Sequence, residues 1–196
     1  SISWVRYYEV DTTVSRKLMI SPPSGYKLLR EGVSKETDWS AILGAPSGCW
    51  MDEYERRRIL LWRTFEEDAA LAPLALGMMN PSYARHDRVD NTVTRCIGYG
   101  RRERAGGLIV CNRAPYIATD QDLLERQFCA GIDVFAHESN RVAWQVAAAL
   151  SSVLVVAWGT PRGSWWKSGK KYEQELLEPF GANVYSICLL AKSGEP

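Results

Sequence analysis

Three apolar runs in this chain end in residues able to do chemistry. Leu74–Met79 ends in Asn80-Pro81-Ser82, Leu108–Cys111 in Asn112-Arg113, and Val153–Ala157 in Trp158-Gly159. A carboxamide carries a donor and an acceptor side by side, so Asn80 and Asn112 could each orient a water or read the edge of a nucleobase. Pro81 fixes the backbone after Asn80, and the same asparagine could equally cap its own turn. Ser82 and the neighbouring amides could cradle a phosphate, although no glycine-rich loop accompanies them. Trp158 could stack on a base or serve as a lid on the core.

The remaining candidates are more scattered. Asp87, Asp90 and Asn91 form a polar cluster, and Asp90-Asn91-Thr92 has the order of a helix N-cap. His86 and His137 are the two histidines of the chain. His86 has no second imidazole or carboxylate at metal spacing, and His137-Glu138 reads as a solvated or capping pair, so neither a metal nor another cofactor is expected. Trp165-Trp166-Lys167-Ser168-Gly169-Lys170-Lys171 mixes aromatic and basic residues, and could contact a nucleic-acid backbone or be an exposed loop. No Ser-His-Asp order, Walker loop or dinucleotide fingerprint is present.

The elements that must carry these residues alternate. The three apolar runs, and a fourth at Val184–Leu189, have the length and continuity of buried parallel strands. The spacing predicts a helix from the Asp90 cap to near Gly106-Gly107, and a second from the capping box Thr119-Asp120-Gln121-Asp122 to about Ala130. A third is predicted from about Ser139 to Leu150, with Val142, Val146 and Leu150 on one face, and a fourth near Tyr172–Leu177. Alternating strands and helices predict a three-layer α/β/α sandwich with a mainly parallel four-stranded sheet. Ligands bind such sheets beyond the carboxyl ends of the strands, where the three polar ends lie. Residues 1–40 read as an N-terminal extension with one or two strands, including Ile2–Val10, packed on a domain spanning 41–196. Tyr54–Phe65 fits either a strand leading into a loop or a helix.

Composition narrows the function classes. The 196 residues are 46% apolar, enough for a sizeable core, and the net charge of +1 gives no global pull toward nucleic acid or membrane. A local basic groove remains compatible with that total. No apolar run reaches the roughly 18 residues of a membrane span. The five cysteines are odd in number and lack CxxC spacing. They predict neither disulfides nor zinc, and a reducing cytoplasm. Cys111, Cys129 and Cys188 sit in apolar stretches and read as buried thiols.

At these same positions the chain resembles a known family. Leu76-Gly77-Met78-Met79-Asn80-Pro81-Ser82-Tyr83-Ala84, followed by Asp90-Asn91-Thr92-Val93-Thr94-Arg95-Cys96, is similar to the LNPSxAxxxxxDxTxxRC signature of a bacterial and phage domain-of-unknown-function family, number sixteen forty-three. The resemblance continues through Val110-Cys111-Asn112, Ala118-Thr119-Asp120, Asn140, Ala157-Trp158-Gly159 and Lys192-Ser193-Gly194-Glu195-Pro196, and covers about residues 50–196. Arg113 departs from the family, which tends to have an apolar residue there. The family pattern runs on into a His-Pro-Leu segment past the position of Pro196.

A more distant similarity is to the uracil-DNA glycosylase superfamily. One branch carries a Gly-Ile-Asn-Pro-Gly loop after its first strand, which Gly77–Ser82 resembles, and often a Trp-Gly pair after its third, as at Trp158-Gly159. This resemblance implies a glycosylase-like fold and recognition of a nucleobase or nucleotide in DNA, with cleavage or transfer at the glycosidic bond. Asn80 would position the water. Pro81, Ser82, Asp90, Asn91, Thr92, Arg113 and Gly159 would line the site. Asn112 and Asn140 would read or orient the base, and Trp158 or Tyr83 would stack on it. Two alternatives stay open: a non-catalytic binding protein or phage accessory factor with a protein partner, and an enzyme acting on free nucleotides.

Overall fold

The computed structural model describes residues 7–10, 17–31, 38–65, 71–84, 90–151, 153–159 and 162–186. In chain order its strands are β1 (Tyr7–Val10), β2 (Lys17–Ile20), β3 (Tyr26–Glu31), β4 (Ser47–Asp52), β5 (Arg58–Thr64), β6 (Leu74–Met78), β7 (Gly107–Asn112), β8 (Leu154–Val156) and β9 (Val184–Ser186). The helices are α1 (Asp38–Ile42), α2 (Asn91–Arg102), α3 (Gln121–Cys129), α4 (His137–Leu150) and α5 (Ser164–Leu177).

The strands β6, β7, β8 and β9 are the four expected ones. They pair in parallel in the order β7-β6-β8-β9. The first of them, β6, therefore lies between the second and the third, and the chain reverses direction across it. Side chains alternate along each strand and so divide between two cores. Leu74, Leu76, Leu108, Val110 and Val155 pack with Val93 of α2. Ala75, Ile109, Cys111, Leu154 and Val156 pack with Ala143, Trp144 and Ala147 of α4 and with Leu176 of α5. Helices thus cover both faces. The loop after β6 leads to one face and the loops after β7 and β8 lead to the other.

The sheet is larger than the four-stranded one expected. Among the described residues it has seven strands, because β5, β4 and β3 continue it antiparallel from β7. The physical reason lies in three features that obscure the strand pattern. Ser47–Asp52 contains Gly48 and follows Pro46, which read as loop punctuation. Gly48 is needed because a Cβ there would lie 2.4 Å from the ring of Trp62 on the neighbouring strand. Trp62 is fully buried and donates from Nε1 to the Ala45 carbonyl at 2.8 Å. In Tyr54–Phe65 the charged residues of the turn run into an apolar strand buried on both faces, and no period shows through. Asp52 closes that turn by accepting from the Arg56 and Arg57 backbone N–H groups at 2.6 and 3.0 Å.

Other expectations shift in detail. The segment Tyr26–Glu31 is an edge strand of the main sheet, while β1 and β2 form a separate two-stranded sheet. Residues 2–6 of the predicted first strand lie outside the described residues. The last helix begins at Ser164 rather than near Tyr172, so the Trp165–Lys171 segment is helical and not a loop. Gly169 obscured this, since glycine disfavours helix interiors. It is required because a Cβ there would meet the Phe135 ring at 2.3 Å. Cys111 is buried as expected, but Cys129 is exposed at the end of α3. Cys188 lies outside the described residues.

Candidate functional site

The carboxyl edge of the parallel strands brings the predicted loops together. The loop after β6 is laced onto the segment after β7. Arg113 and Ala114 donate from their backbone N–H groups to the Met78 and Met79 carbonyls at 2.8 and 2.9 Å. Ala118 donates in the same way to the Pro81 carbonyl at 3.0 Å. On the other side Ala157 donates to the Gly77 carbonyl at 2.8 Å, which fixes the start of the Trp158-Gly159 segment. Asn80 reinforces this lacing. Its Nδ2 donates to the carbonyls of Ala118 at 2.7 Å and Pro81 at 3.1 Å. Its amide hydrogens are thus used within the loop, and Oδ1 is the atom with which it would meet a ligand.

Asn112 ends β7 fully buried, and neither Nδ2 nor Oδ1 has a hydrogen-bond partner among the described residues. By strand alternation its side chain shares the α2 face with Leu108 and Val110, next to Met78 in register. Its backbone carbonyl is held from the opposite face, accepting from Asn140 Nδ2 at 2.8 Å and from Trp144 Nε1 at 3.3 Å. Asn140 also reaches the Arg113 carbonyl at 3.3 Å. It therefore secures the end of β7 from α4. A buried carboxamide left unpaired costs about 1–3 kcal/mol.

Arg113 is 2% exposed. Its guanidinium lies 3.3 Å from the Trp166 ring centroid and 5.7 Å from that of Trp158. Nη1 pairs with Glu173 of α5 at 3.0 Å, and Nη2 donates to the Trp166 carbonyl at 3.3 Å. Burial lowers its proton affinity and Glu173 opposes that. Trp158 meets Trp166 edge-on, with centroids 6.2 Å apart. The strand end after β8 is thus built into an aromatic stack with α5.

The helix entry is organised by Asp90. Its Oδ1 accepts from the Val93 backbone N–H at 2.7 Å, and its other oxygen accepts from the Ser82 hydroxyl. The start of α2 is therefore already capped by a carboxylate, and Ser82 is tied to it. Asn91 and Thr92 are exposed on the first turn, and Tyr83 is 62% exposed before it. Replacing Asp90 with alanine is expected to cost about 1 kcal/mol through loss of the cap. Thermal denaturation should show a fall of a few degrees (about 2–4 °C per kcal/mol at this size).

One residue of this edge escaped the sequence reading. Arg58 begins β5, is 2% exposed, and donates from Nη1 to the Ala84 carbonyl; its Nε has no partner among the described residues. Burial lowers its pKa to about 10, with Cys49 and Asp90 acting the other way, so it stays charged at neutral pH. The sequence signal was weak, since Arg58 is the third of three consecutive arginines and looks like part of a solvated turn. His137 lies elsewhere, stacked on Tyr172 at 3.9 Å with Nε2 3.0 Å from Glu175. His86, Asp87 and Lys192–Pro196 lie outside the described residues. Among the described residues no group of three metal-ligating side chains forms, and no helix is long and apolar enough to cross a membrane.

Residues 58–196 match a family described as a protein of unknown function, DUF1643. The chain belongs to this family. The DUF1643 region begins at Arg58 and takes in β5, the four parallel strands and every residue of the strand-end site. No curated protein and no solved structure gives a significant match to the chain.

Proposed function

We propose that this DUF1643 protein recognises a nucleobase, presented in DNA, at the carboxyl edge of its parallel strands, and acts there on the glycosidic bond. The observation that carries this reading is the Asn112 carboxamide, fully buried at a strand end with both polar atoms unpaired among the described residues. Donor and acceptor in one plane match the edge of a base, and a buried reader suits an extruded base rather than a paired one. The similarity of the Asn80 and Trp158 loops to those of uracil-DNA glycosylases supports the same reading. Oδ1 of Asn80 would orient the attacking water, and Trp158 would flank the base.

The test is a panel of duplex and single-stranded DNA carrying modified bases, scored for binding and for base release. Asn80→Ala should lower release on the order of 10²-fold, the scale for losing one oriented polar group in a transition state, with binding nearly unchanged. Equal release by the variant and the wild type would overturn the catalytic role. A second reading, binding without chemistry, is favoured by the bonding of Asn80 Nδ2 to Ala118, which gives Asn80 a structural task. Binding with no release of any base would decide for it. An enzyme acting on free nucleotides would instead act on the mononucleotides and leave the DNA panel untouched.

A further inference from the structure

We infer that Arg58 is a specificity-determining residue of the same strand-end site, admitting bases with a ring oxo group and rejecting those with an exocyclic amino group there. This inference rests on the nucleobase reading above.

Pairing between β4 and β5 shifts at Trp50/Met51, so that Trp50 faces Leu60 while Met51 faces Arg58. Ile59 is the extra residue of a bulge, and it packs in the same core as Leu60. A bulge breaks the alternation and re-aims the next side chain. Arg58 is therefore turned to the face occupied by Met51, Leu61 and Val110, which is the α2 face that Asn112 also shares. Strands β5 and β7 are antiparallel neighbours, so Arg58 at the start of one and Asn112 at the end of the other lie at the same edge. Arg58 bonds to the Ala84 carbonyl, and both it and Cys96 of α2 sense the charge of Asp90, which confirms the side.

Two buried polar groups with hydrogen-bonding capacity unused among the described residues thus share one face at the same edge. Their chemistry differs. Asn112 can turn its carboxamide over and pair with either a keto or an amino edge. Arg58 carries five donors and no acceptor, so it can only face an oxygen or a bare ring nitrogen. An exocyclic amino group opposite it would leave buried donors unpaired on both sides. Sites built this way reject the analogue that lacks the partner.

The experiment compares deoxyinosine with deoxyadenosine, and deoxyuridine with deoxycytidine, each placed at one position of a single-stranded oligonucleotide and each also as the free nucleoside, binding to the full chain by calorimetry. The oxo member of each pair is expected to bind at least tenfold more tightly. Arg58→Gln, whose carboxamide can accept from an amino group as well as donate to an oxo group, should erase that preference, weakening the oxo members and tightening deoxyadenosine and deoxycytidine. Should Arg58→Gln fail to fold, the Arg58 Nε–H resonance of the wild-type protein gives the answer, shifting on addition of deoxyinosine and not of deoxyadenosine. Equal binding within each pair, a preference kept by Arg58→Gln, or an unmoved resonance would overturn the inference while leaving nucleobase recognition intact. Failure of every nucleoside and every modified DNA to bind would overturn the nucleobase reading itself.

Discussion

Replacing Asn112 with leucine is expected to stabilise the protein and to abolish nucleobase binding. In the wild type a whole carboxamide is removed from water without a partner among the described residues. That desolvation costs about 1–3 kcal/mol, and an apolar side chain of similar size does not incur it. The surroundings suit leucine, since Met78, Val110 and Leu76 already line this face. The backbone carbonyl keeps its bonds from Asn140 and Trp144, so β7 stays anchored. A gain of about 1–2 kcal/mol is expected, read as a rise in Tm of about 2–8 °C for a domain of this size. Affinity for a base should fall by at least a hundredfold, because the donor and acceptor that read it are both gone. A variant that loses stability, or that still binds, would show that Asn112 is a structural residue.

The second large effect is on folding. Trp144→Ala should cost about 3–5 kcal/mol, the range for deleting a fully buried large aromatic, and lower Tm on the order of 10 °C. Trp144 is fully buried in the core between α4 and the sheet and meets Phe180 edge-on at 6.4 Å. It also covers Gly77 so closely that a Cβ there would lie 2.7 Å from its ring. Gly77 stands two residues before the Asn80 loop, so the tryptophan and the glycine together set how closely α4 approaches the site. The two positions should couple. Gly77→Ala is expected to be destabilising by about 1–3 kcal/mol in the wild type through overpacking, and far less so beside Trp144→Ala. Chemical denaturation of both single variants and the double variant measures this coupling. Simple additivity would contradict the packing described.

The helices were legible wherever local chemistry marks them. Asp90 and Asp120 each accept from a backbone N–H three residues on, at 2.7 Å, as their positions before α2 and α3 predict. The parallel strands were legible because burial on both faces demands continuous apolar runs such as Leu108–Cys111. The antiparallel half was not. Its strands depend on close approaches, Gly48 to the Trp62 ring and Gly107 of β7 to the Arg63 backbone of β5, that give a glycine its purpose only once the partner strand is known.

The site divides along the same line. Sequence by itself determined that Asn80, Asn112 and Trp158 end three strands, because strand length and termination are local properties of the chain. Tertiary structure alone decided their condition. It bonded Asn80 Nδ2 to Ala118, drew Trp158 into a stack with Arg113 and Trp166, and left the Asn112 side chain buried with no partner among the described residues. It also turned Arg58 inward through a one-residue bulge. Burial and hydrogen-bond satisfaction depend on residues distant in the chain, and a change of strand face depends on the register with a neighbour.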